Sequence, residues 1–101
     1  MQTDAYVIGL SKTNLLYIEW GMNWSNGVAQ VNSITHGVRY LEEATLIGTE
    51  KDAYETLQEI KDNYENIVVI CPNIVEVCAT GGGIDPEKLH IYEVNIGKEI
   101  Y

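Results

Sequence analysis

The sequence has no phenylalanine, two prolines, two cysteines and a single arginine among its 101 residues. Each scarcity excludes something. Two cysteines, Cys71 and Cys78, do not make a disulfide framework. Both sit among apolar, β-branched neighbours and are expected to be buried, reduced thiols. The lone arginine, Arg39, leaves little with which to clamp an anion. Six basic residues against fifteen acidic ones give a formal net charge of −9. Direct nucleic-acid binding over a broad face is therefore not expected, because the cations that neutralise phosphates are missing. No apolar run approaches the ~20 residues that span a bilayer. The start, "MQTDAYVIGL", has neither a basic n-region nor a long apolar stretch. The expectation is a soluble, cytoplasmic protein with no membrane partner.

What is present is globular. Hydrophobic residues make up 46% of the chain, with seven tyrosines and two tryptophans, which is too apolar for intrinsic disorder. The length suits one domain, residues 1–101, with a single modest core. The charge is unevenly placed. Residues 1–41 hold two acids and two bases, whereas residues 42–101 hold thirteen acids and four lysines and carry the whole net charge of −9. One half is neutral and aromatic and the other is acidic, an asymmetry that fits either a partner's electrostatics or simple solubility.

Patterning along the chain predicts an α+β fold: a mainly antiparallel sheet of about five to six strands with one long amphipathic helix, at about 50–65, packed on it. "AYVIGL" (5–10) and "LLYIEW" (15–20) read as strands joined by a turn at "SKTN". The second places Leu16, Ile18 and Trp20 on one face, so Trp20 is expected in the core. Asn26-Gly27 is a turn signal, and "VAQVNSI" (28–34) is a third strand. Gly37 argues against a helix, which leaves a short strand at 38–41. "ATLIGT" (44–49) is a short strand or a connection. In "TEKDAYETLQEIKDNYEN" (49–66), Thr49 is the N-cap, and Ala53, Leu57, Ile60 and Tyr64 recur at core-facing spacing. "IVVICP" (67–72) reads as a central strand buried on both sides. "NIVEVCA" (73–79) continues it or forms the next strand. "DPEKL" is a one-turn helix capped by Asp85, and "HIYEVNI" (90–96) is the last strand.

Tests for chemistry mostly return bland readings. Gly81, Gly82 and Gly83 lack the Lys-Ser/Thr of a phosphate loop, and the acids Asp85 and Glu87 follow them, so they read as a connector. His36 and His90 are isolated, and no His/Cys/carboxylate spacing supplies convergent metal ligands. Nothing local activates a cysteine thiol as a nucleophile. Neither a cofactor, a metal nor enzymatic activity is expected.

The helix says more. At 100° per residue, Asp52, Glu55, Glu59 and Asp62 fall within about 80° of one another, opposite the apolar stripe, and Glu65 extends the row. Like charges at these spacings cost ~0.2–0.5 kcal/mol per pair. Such a row is either a solubilising face or an acidic ridge that docks in a basic groove. Trp24, four residues after Trp20 in "YIEWGMNWSNG", sits in a Gly/Asn/Ser-rich turn that can bury it only partly, which makes it a candidate anchor for a partner. Tyr17, on the opposite face of its strand, and Tyr40 are lesser candidates.

The order of "AYVIGLSKTNLLYIEW" and "GTEKDAYETLQEIKDNYENIVVI" resembles, in pattern over residues 5–71, small acidic accessory proteins of bacteriophages, of the anti-defence, anti-CRISPR-like kind. Several of these occupy DNA-binding clefts with carboxylates, and the group shares no fold or motif. The resemblance implies a non-enzymatic, phage-encoded inhibitor that binds a host defence enzyme, such as a CRISPR effector, in the host bacterial cytoplasm. The partner would present a basic nucleic-acid-binding groove. No residue is carried over on a motif; the residue pattern itself makes the contacts on this chain Asp52, Glu55, Glu59, Asp62, Glu65, Trp24 and Tyr17. Two alternatives stay open. One is a homo-oligomeric binder of a nucleotide signal, using the "TGGGID" connector with Arg39. The other is a structural or assembly module. A homodimer is compatible with each reading.

Overall fold

A computed structural model describes residues 4–23, 27–70, 77–78 and 84–95. Alternating apolar residues set two long strands and a shorter one at the start: β1 (Ala5–Ser11), β2 (Asn14–Asn23) and β3 (Val28–Val38). A helix, α1 (Glu50–Asp62), follows, then β4 (Val68–Ile70), β5 (Val77–Cys78) and β6 (His90–Val94). The sheet order is β5-β4-β3-β2-β1-β6. All neighbours are antiparallel except β3 and β4. That parallel pair follows from the connection, because α1 carries the chain back to the starting end of the sheet. The fold is α+β, as the patterning predicts.

The helix is short. It spans 13 residues and ends at Asp62, and a separate 3₁₀ turn, Tyr64–Asn66, continues the chain. The single element expected at about 50–65 is therefore two. Its start agrees with the sequence, since the Thr49 hydroxyl accepts the Asp52 N–H at 3.1 Å. The apolar stripe also agrees, with Ala53, Leu57, Ile60 and Tyr64 all buried.

Beneath α1, Ile8, Leu16, Ile18, Val31, Ile34 and Val69 form the main core. The reverse face carries a smaller cluster of Val7, Leu15 and Val38, covered by Leu41, Ala44, Tyr92 and Val94. Residues 38–41 are not a strand of their own. β3 runs through Val38, and Gly37, at φ +85°, lets it bulge there, where its pairing with β2 slips by one residue. Leu41–Glu43 is a 3₁₀ turn. β4 is not central but second from the edge, and only Val69 of its three residues is buried. Gly27, at φ +70°, lies directly before β3, and Asn26 of the Asn-Gly signal lies outside the described residues. Asp85 caps the 3₁₀ turn Pro86–Lys88 by accepting the Glu87 N–H at 3.0 Å.

One feature of the sheet positions the site. β1 and β2 pair only near their hairpin, at Gly9–Leu15 and Ser11–Asn14, and then part. The segment after the 3₁₀ turn Leu41–Glu43 fills the resulting wedge. Ile47 exchanges both backbone hydrogen bonds with Tyr6, each 2.8 Å long. The Thr45 N–H donates to the Leu16 carbonyl at 3.1 Å, and the Thr45 hydroxyl accepts the Ile18 N–H at 2.6 Å. Backbone groups exposed by the splayed strands are thereby paired, which the cost of burying an unsatisfied amide requires. "ATLIGT" is therefore a connection with a single bridge, not a strand.

Candidate functional site: an acidic groove with an aromatic wall

The wedge leaves a groove above it. Its floor is Thr45, Leu46, Ile47 and Gly48, one wall is α1, and the other is Trp20 of β2. The α1 wall presents Asp52, Glu55, Thr56 and Glu59, and the groove encloses about 410 Å³. Three carboxylates and no base line it. The helix as a whole carries five acids and two lysines, for a net −3. Outside the groove, burial and then the carboxylates of Glu50 and Glu93 hold the Tyr6 phenol above its usual range.

Trp20 departs from its expected place in the core. Its side chain is 42% exposed, beside Met22 at 51% and Leu46 at 40%. The phase of β2 is as read, since Trp20 pairs with the buried Val31 and shares the helix-side face with Leu16 and Ile18. What fails is coverage: a groove, not a packed side chain, lies between the indole and α1. The result is an exposed indole facing carboxylates.

The acidic row divides. Asp52, Glu55 and Glu59 converge on the groove. They flank the apolar stripe rather than oppose it, because the buried Thr56 carries the sheet contact round toward them. Glu59 is half-buried and committed, as its carboxylate accepts the backbone N–H of Val31. The Asp52 and Glu55 side chains are exposed, and nothing among the described residues pairs their carboxylates. Asp62 lies outside the groove and accepts the Gln58 side-chain amide at 2.9 Å. Glu65 belongs to the separate 3₁₀ turn and is exposed. Tyr17 is 44% exposed and, being out of phase with Leu16 and Ile18, lies on the reverse face, so one flat contact does not unite it with the groove. Trp24 lies outside the described residues, as do Cys71 and residues 80–83 of the connector on which a nucleotide site would depend. The Cys78 side chain is likewise not described.

Trp20 is the member that sequence reasoning missed. No local signal marks it, because alternation along β2 sets the face of Trp20 and not whether α1 packs against it.

Among the described residues, smaller cavities lie elsewhere on the surface. One, of about 290 Å³, lies on the other side of Glu59 and is lined by Gln30, Val31, Asn63 and Asn66. Another, of about 220 Å³, opens on the reverse face among Val7, Leu15, Leu41, Tyr92 and Lys12. No group of three or more His, Cys, Asp or Glu side chains is placed to hold a metal ion among the described residues. No helix among them is long and apolar enough to cross a membrane. Comparison with protein-family models, with curated proteins and with solved structures finds no match to this chain.

Proposed function

We propose that the protein is a non-enzymatic, phage-encoded inhibitor. It binds a host nucleic-acid-handling defence enzyme, of which a CRISPR effector is one kind, in the bacterial cytoplasm. The observation that carries this reading is the convergence of Asp52, Glu55 and Trp20 on one base-free groove. A surface of that kind complements a Lys/Arg-lined cleft. Its carboxylates meet cations that otherwise hold phosphates, and its indole supplies the apolar contact that fixes register. Steering by the net charge of −9 makes association fast and salt-sensitive.

The test is capture from bacterial cytoplasm with the wild-type chain and with D52K/E55K, followed by mass spectrometry at low and high salt. A nuclease or its guide complex retained by the wild type alone, and released as salt rises, supports the proposal. The same set of proteins on both baits overturns it.

A further inference from the structure

We infer that the groove between Trp20 and α1 seats one guanidinium-bearing side chain, an arginine of the basic partner, in preference to a lysine. This rests on the acidic-surface reading above and names the chemistry of its occupant. Trp20 offers an exposed indole, the aromatic surface that attracts cations most strongly. Across the groove stand the carboxylates of Asp52 and Glu55, unpaired among the described residues. Leu46 and Met22 extend the apolar surface beside the indole, where the methylene stem of a long side chain can lie.

These three features together select the ion. A guanidinium is planar and weakly hydrated, so it can stack on the indole while its edge donates to a carboxylate. An ammonium is compact and strongly hydrated and gains less from the aromatic face. Glu59 adds negative charge, but one of its two carboxylate oxygens is already held by the Val31 N–H, which leaves it less free to turn toward an occupant. The seat is therefore a Trp20–Asp52–Glu55 arrangement rather than the whole acidic row.

The test uses the full chain with Trp24→Phe, which leaves Trp20 as the only indole. Hexa-arginine and hexa-lysine peptides are titrated at low salt. Trp20 emission and the amide NMR signals of residues 45–48, 52 and 55 are followed. The expected result is a saturable shift of Trp20 emission with hexa-arginine, which binds about fivefold tighter than hexa-lysine. Asp52→Asn with Glu55→Gln weakens both peptides. Trp20→Leu, read by the amide signals, removes the preference for arginine. Thermal melts of each variant confirm that it folds. Equal binding of the two peptides with Trp20 emission unmoved overturns the seat and leaves the acidic surface standing. No binding of either peptide at low salt overturns both.

Discussion

The Glu59 carboxylate accepts the backbone N–H of Val31, joining α1 to the β2–β3 hairpin across 28 positions of sequence. The bond has a local cause. The register of β2 against β3 slips between Glu19–Ser33 and Trp20–Val31, which leaves Asn32 as an extra residue beside Val31. A bulge disrupts the ladder locally, and the helix supplies an acceptor at that point. Glu59 thus holds the hairpin that carries Trp20 against the helix that carries Asp52 and Glu55.

Glu59→Ala is expected to destabilise the fold by about 1–3 kcal/mol, because it leaves the N–H of a buried residue without its acceptor. Glu59→Gln keeps an acceptor oxygen and is expected to lose less than about 1.5 kcal/mol, the net worth of an ordinary hydrogen bond. Urea denaturation of the two variants checks this ordering.

The exposed pair behaves differently. Asp52→Asn and Glu55→Gln remove like charges from one face and are expected to change stability by no more than about 0.5 kcal/mol. The same changes weaken salt-sensitive association. Stability and binding therefore separate along one row of acids, which paired denaturation and binding curves measure directly.

Tyr64 closes the far end of the main core. Its hydroxyl donates to the Ile84 carbonyl at 2.6 Å and accepts the Ile84 N–H at 3.0 Å. Tyr64→Phe preserves the packing and removes both bonds, so a loss of about 1–3 kcal/mol is expected, with faster amide exchange at Ile84.

At Gly9 a methyl group has nowhere to go. An added Cβ would lie 2.7 Å from the Asn14 carbonyl oxygen and 3.0 Å from the Leu15 Cα, both backbone atoms of the facing strand. Gly9→Ala is expected to cost about 1–3 kcal/mol and to disturb the β1–β2 hairpin. A change confined to surface signals in the NMR spectrum would contradict this.

Burial pushes the His36 imidazole below its usual range, since the charged form is poorly solvated in β3. The unfolded chain takes up the proton near pH 6.5, before the folded chain does. Stability is therefore full above that pH and falls as the pH drops through it toward the lower folded value. His36→Asn is expected to flatten that part of the pH–stability curve, measured by thermal melts between pH 5 and pH 8 on the scale set by the ordinary histidine range.

What could be read from the sequence was local. The Thr49 cap, the Ala53–Leu57–Ile60–Tyr64 stripe and the Asp85-Pro86 signal each depend on residues within a few positions of one another, and each stands as read. The groove depended on long-range facts. Thr45 carries no local sign that it bonds β2 where β1 departs. The alternation of β2 gave Trp20 the correct face, but nothing in the alternation says whether a helix packs against it or leaves a groove. The helical period put Glu59 in a solvent-facing row, and a bulge in a distant strand made it a structural acceptor.

Displacement is the most direct measurement. A fluorescently labelled nucleic acid is bound to the captured partner, and this protein is added in increasing amounts while anisotropy is followed. The account predicts release of the nucleic acid at about one protein per binding site, lost with D52K/E55K and suppressed at high salt. A ternary complex, in which the partner holds this protein and its nucleic acid together at full anisotropy, would contradict it.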